Sequence, residues 1–82
     1  MITVSVKMFA MIRDLAGSGH VAISVADGAT VDALCAALMT RYPGLEQWRP
    51  HLRFAVNNEY VTVDHQLREA DEVAVIPPVS GG

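Results

Sequence analysis

The chain has 82 residues and closes on Gly81-Gly82. Neither residue has a Cβ, so an enzyme can close around the backbone here and reach the last carbonyl. A carboxylate is a poor electrophile. Activated by ATP as an acyl-adenylate it becomes reactive, and a sulfur nucleophile can displace AMP to leave a thiocarboxylate, nucleophilic at sulfur. In that chemistry Gly82 supplies the reacting carboxylate and Gly81 the slim approach, and the chain must end at Gly82. The bland reading is a terminus that happens to be small and flexible. With glycine near 7% of residues, two in the last two places arise by chance in roughly one chain in 200. Pro77-Pro78 immediately upstream strengthens the functional reading, because proline cannot donate to a strand ladder and favours an extended exit. A domain over 1–78 followed by a tail, 79–82 (Val79, Ser80, Gly81, Gly82), is the expected division.

Other residue types offer less. Cys35 invites persulfide chemistry, but Val31, Leu34 and Leu38 surround it at helical spacing, which predicts a buried thiol acting as a small hydrophobe. His20, His51 and His65, with Asp64, match no ligand spacing, so no metal site is expected. Arg13-Asp14 and Arg68-Glu69 read as solvated charges, Tyr42 and Trp48 as packing residues. No Ser/His/Asp or Cys/His constellation appears, and no glycine-rich phosphate loop. Catalysis by the chain alone is not expected.

The elements that must present the tail follow from periodicity. Ile2, Val4, Val6 and Met8 alternate with Thr3, Ser5 and Lys7, the mark of a half-buried strand. A short helical turn over Ala10–Ala16 is stopped by Gly17-Ser18-Gly19. His20 to Val25 alternates again, so an antiparallel pair with a long connection is predicted. Thr30 is a helix N-cap, and Val31, Leu34, Cys35, Leu38 and Tyr42 form one apolar stripe. Asp32 and Arg41 suit the helix dipole, and Pro43-Gly44 ends the helix. Gly44 to His51 reads as loop with a turn of helix near Leu45 to Trp48. Strands are expected at Leu52–Val56, Tyr60–Val63 and Glu72–Ile76, the first two joined by Asn57-Asn58. Asp64 to Asp71 is polar and irregular. One helix packed on one face of a mixed sheet makes an α+β domain. If the last strand lies beside the first, the result is the ubiquitin-like β-grasp.

Composition narrows the function classes. Hydrophobic residues are 51% and charged residues 18%, with a formal net charge of -3. A mildly acidic chain lacks the electrostatic footprint of a nucleic-acid binder. No window is apolar for long enough to span a membrane, and polar alternation in the first residues is unlike a signal peptide. One cysteine permits no internal disulfide and fits a reducing cytoplasm.

The run DEVAVIPPVSGG (Asp71 to Gly82) resembles the C-terminal signature of molybdopterin synthase small subunits. VKMFAMIRDLAG (Val6 to Gly17), DGATVDAL (Asp27 to Leu34) and AVNNEYV (Ala55 to Val61) resemble that family too, in its order. A bare Gly-Gly ending is shared with thiamin sulfur carriers, ubiquitin-like modifiers and other β-grasp carriers; IPPVSGG is the most specific element. The resemblance implies a ubiquitin-activating-type adenylyltransferase that spends ATP on Gly82, and a sulfurtransferase system that supplies sulfur. The thiocarboxylated tail would then enter the large synthase subunit and give sulfur to cyclic pyranopterin monophosphate. It also implies a heterotetramer of two small and two large subunits, the catalytic site on the large one, and no cofactor bound by this chain. Sulfur delivery to thiazole or tRNA, and conjugation to proteins, use the same activated carboxylate and stay open, as does a plain interaction module with an inert tail.

A carrier that meets two enzymes needs a face for them. Phe9 falls in phase with Thr3, Ser5 and Lys7, and Ile76 with Glu72 and Ala74, on the side of the sheet away from the helix. Tyr60 joins them after the Asn57-Asn58 turn. With Pro77 and Pro78 leading into Val79 and Ser80, these residues are the expected partner surface. The competing reading has Phe9 closing the core's edge and Ile76 packing under a loop.

Overall fold

The computed structural model describes residues 1–78. Five strands form one sheet in the order β2-β1-β5-β3-β4: β1 is Ile2–Met8, β2 His20–Val25, β3 Arg53–Val56, β4 Glu59–Val61 and β5 Glu72–Ile76. Helix α1 (Ala10–Ala16) connects β1 to β2, and α2 (Val31–Arg41) is followed by a 3-10 segment over Pro43–His51. β1 pairs antiparallel with β2 and parallel with β5. β3 pairs antiparallel with β5 and with β4. The last strand therefore lies beside the first, and the α+β β-grasp topology anticipated above is the one found.

Alternation decides which side of the sheet is covered. Val4, Val6, Met8, Val21, Ile23, Val25, Phe54, Val56, Val73 and Val75 all belong to the core, together with Val31, Leu34, Cys35 and Leu38 of α2. Val6, Val31, Leu38, Val73 and Val75 are wholly out of solvent. The parallel β1–β5 pair runs through the middle of this layer, so the strand that leads into the tail has both of its inward residues, Val73 and Val75, fully buried. Four core residues lie outside the predicted stripes: Ile12 of α1, Met39 of α2, Leu45 of the 3-10 segment and Leu67 of the loop after β4.

Helix α2 begins as predicted, with Thr30 Oγ1 accepting from the Ala33 N–H. The N–H groups of Val31 and Asp32 donate to the carbonyls of His65 and Val63, and Leu34 N–H to Thr30 O. Three of the four amides that an α-helix leaves unpaired at its start, those of Val31, Asp32 and Ala33, are thus satisfied from outside the helix ladder, and the loop over 62–71 is clamped to the helix. Arg49 Nη2 reaches Asp32 Oδ1 at 2.9 Å and ties the 3-10 segment to the same end. That segment is longer than the single turn expected, because Leu45 docks fully into the core while Pro43 and Pro50 restrict its backbone. β4 starts one residue earlier than predicted and stops at Val61; from Thr62 on, the chain turns towards α2.

The loop after β4, read as irregular polar sequence, contains the buried carboxylate Asp71. It accepts from Asn57 Nδ2 at 3.0 Å and from the Arg68 N–H at 2.8 Å. Asn57 Oδ1 in turn accepts from the Glu72 N–H. The Asn57-Asn58 turn, both residues at positive φ as a two-residue hairpin requires, is so fastened to the entry of β5.

Candidate functional site

The residues that lead into the tail sit at the end of the sheet's middle strand. β5 finishes at Ile76, and Pro77 and Pro78 follow, the first half-buried and the second exposed. Both stand where the sequence predicts that the ladder must end. Val79, Ser80, Gly81 and Gly82, which carry the carboxylate call, lie outside the described residues.

The helix-free face of the sheet surrounds the root of this tail. Lys7 is paired with Ala74, Ala74 with Ala55, and Ala55 with Tyr60, giving one row across β1, β5, β3 and β4. One step along, Ile76 is paired with Arg53. Phe9 directly follows Met8, the partner of Val75, and its φ of -126° and ψ of 158° continue the extended course of β1. Alternation therefore keeps Phe9 on the same face as Ile76, on the neighbouring strand and at the same end. Phe9 is 47% exposed and Tyr60 70%; Ile76 is half-buried. Phe9 is thus not closing the core, which is filled from the other face.

Ala55 and Ala74 lie between Tyr60 and the Phe9–Ile76 pair as a low floor, so the apolar side chains frame a shallow surface. Ala10, next to Phe9, has φ 49°. This left-handed turn sends the chain from β1 straight into α1, whose first bonds run from Ile12 and Arg13 N–H to Phe9 O. A non-glycine residue in that region costs about 1 kcal/mol, and it ends β1 at the patch.

The same face holds polar groups that strand alternation alone did not assemble. Lys7 Nζ reaches across to Glu72 Oε1 at 2.8 Å, each side chain about half exposed. The hydrogen bond from Lys7, then its charge, holds the Glu72 carboxyl below the ordinary carboxylate range, with a smaller contribution from His20. His20 Nε2 and Ser5 Oγ are hydrogen-bonded beside them. Only the register, which sets His20 opposite Lys7 and Arg53 opposite Ile76, brings these groups around the patch.

The remaining candidates separate from this site. Cys35 is buried in α2, and burial pushes its thiol above the ordinary value of 9.0. That protonated, enclosed group is a core side chain, not a sulfur carrier. Among the described residues no group of three or more His, Cys, Asp or Glu side chains is placed to hold a metal ion. No described helix is long and apolar enough to cross a membrane. A groove of about 480 Å³ lies under the β3–β4 hairpin, lined by Val56, Asn57, Glu59 and Arg68 among others. It opens at the entry of β5, the end opposite the tail. Trp48 packs against the core, but its Nε1–H is enclosed without a partner among the described residues.

Comparison with known proteins agrees with the fold. The chain is 41% identical over 83 residues to the molybdopterin synthase sulfur carrier subunit of Escherichia coli, covering 96% of this chain and 99% of that one. It is 40% identical over 82 residues to the human subunit of the same name, covering 96% and 93%. The crystal structure of SAMP1 from Haloferax volcanii superposes with a TM-score of 0.88 at 32% identity, over 98% of this chain and 99% of that one. The model of the ThiS family matches residues 6–82, from the middle of β1 to the last glycine, and the chain belongs to that family.

Proposed function

We propose that this chain is the sulfur-carrier small subunit of a molybdopterin synthase. The observation that carries the reading is the relationship, over nearly the whole length of both chains, to subunits of that name at about 40% identity. The fold supports it: a rigid middle strand ends in two prolines and hands directly over to Val79-Ser80-Gly81-Gly82, beside an exposed apolar face.

In this reading the Gly82 carboxylate attacks the α-phosphorus of ATP on a ubiquitin-activating-type adenylyltransferase and pyrophosphate leaves. A sulfur nucleophile then takes the acyl carbon and AMP leaves, so Gly82 ends as a thiocarboxylate. This chain binds no cofactor of its own; its part is to present the tail. Phe9, Tyr60, Ile76, Pro77 and Pro78 meet the partner, while Val79, Ser80 and Gly81 thread its active site. The catalytic site lies on the large subunit, two of which join two small ones, and the sulfur passes to cyclic pyranopterin monophosphate. The cytoplasm is the compartment this cycle requires.

A second reading has one specific support, the full-length likeness to an archaeal modifier. Conjugation uses the same adenylate with a lysine amine as acceptor. Incubation with ATP, the adenylyltransferase and a sulfur donor, followed by intact-mass measurement, separates the two. The expected result is oxygen replaced by sulfur at Gly82, followed by dithiolene formation on adding the large subunit and the pyranopterin. Higher-mass conjugates with no thiocarboxylate would sink the carrier reading, and an unchanged mass would leave an inert module.

A further inference from the structure

Among the described residues, the face that frames the tail carries several polar groups that are engaged within the chain. Lys7 and Glu72 neutralise each other at 2.8 Å. His20 is engaged with Ser5. Arg53 is different. It is exposed, alternates with the core residue Phe54, and so stands on the helix-free face. Its strand partner is Ile76, the last residue of β5 before the tail prolines. Among the described residues Arg53 takes part in no ion pair. The chain as a whole carries a formal charge of -3, yet the charge set directly beside Ile76 is a cation that has no ion-pair partner among the described residues.

We infer that Arg53 is a specificity residue of the docking face, and that the enzyme seated there places an acidic side chain opposite it. Covering Phe9 and Ile76 removes water from the neighbouring guanidinium, and a desolvated charge without a partner opposes binding. The planar fork of arginine is matched by a carboxylate, which accepts two parallel N–H bonds. A basic or purely apolar surface would meet the same patch and be rejected by the stranded charge, so Arg53 selects among partners that the apolar residues alone would accept. Lys7 cannot substitute, since Glu72 already answers it. The occupant is thus a protein surface with an apolar centre and a carboxylate at the position facing Ile76 and the tail root.

This inference rests on the docking face of the proposed function, and the test keeps the two apart. Full-length Arg53→Ala, Arg53→Glu and Arg53→Lys are titrated calorimetrically against the purified large subunit at low and high salt, after thermal melts show that each variant is folded. Arg53→Ala is expected to weaken binding about tenfold and Arg53→Glu further, with both deficits shrinking as salt rises and Arg53→Lys retaining part of the affinity. If Arg53→Glu binds within about twofold of the unmodified chain while Phe9→Ala with Ile76→Ala abolishes binding, the face is real and the Arg53 proposal is overturned. If that double variant also binds normally, the docking face itself is wrong, and Arg53 falls with it.

Discussion

At the scale of single residues, two buried polar groups show how little their sequence neighbourhood says about them. Cys35 is the easy case, since its apolar neighbours at helical spacing already put it in the core. Its raised thiol value has a measurable consequence. The unfolded chain releases the thiol proton near 9.0, whereas the folded chain holds it. Stability is therefore full below that pH and falls as the pH climbs above it, because only the unfolded state gains by ionising. Urea unfolding at pH 8 and pH 10 should show a loss that Cys35→Val reduces; an equal loss in the variant would assign the alkaline effect to other groups. Asp71 is the hard case. It ends a run that looks irregular and solvated, and nothing local announces that Asn57, fourteen positions away, will donate to it at 3.0 Å. A buried carboxylate needs such partners, but their identity is a matter of where the hairpin lands.

At the scale of elements, the periodic segments were legible and the aperiodic ones were not. β1, β2, α2 and β5 each repeat an apolar residue at the spacing of their own geometry, so the pattern and the burial coincide. β4 and the 3-10 segment are set by what they pack on: Leu45 is drawn into the core, and the chain leaves the sheet after Val61 to cap α2. The loop between β4 and β5 closes with Ala70 at φ 68°, where its N–H donates to Thr3 O. The Cβ of alanine disfavours that conformation, and glycine adopts it freely. Ala70→Gly should raise stability by about 0.5–1 kcal/mol, less any added freedom of the unfolded loop. A lower melting temperature in the variant would mean that the left-handed turn is not strained in solution.

For the whole molecule, the central feature is that one strand serves both the core and the function. Val73 and Val75 are fully enclosed while Ala74 and Ile76 lie on the outer face, so β5 holds the tail root rigid by burying its alternate side chains. Val75→Ala should cost about 2–3 kcal/mol, because the site is enclosed by both neighbouring strands and cannot readily collapse. Denaturant unfolding reads this directly; a loss below about 0.5 kcal/mol would show a core able to relax into the space. Partner binding per folded molecule should persist in that variant, since Phe9, Arg53 and Ile76 stay where the sheet puts them.

The sequence by itself determined a great deal here: the α+β class, the four regular segments that dominate the core, the cap at Thr30, the stop at Pro77-Pro78 and the chemistry available to a Gly-Gly terminus. These are local, dictated by side-chain period, backbone restriction and the reactivity of a carboxylate. Only the tertiary structure decided that Arg53 stands opposite Ile76, that Lys7 is neutralised by Glu72, that Asn57 closes on Asp71, and that Phe9 is left at the edge of a free face. Each depends on the order and register of strands far apart in the chain, and a register is fixed by how the whole core packs. The chemistry proposed for the Gly81-Gly82 terminus rests on its own residues, whereas the surface proposed to choose its partners exists only once β1, β3 and β5 lie side by side.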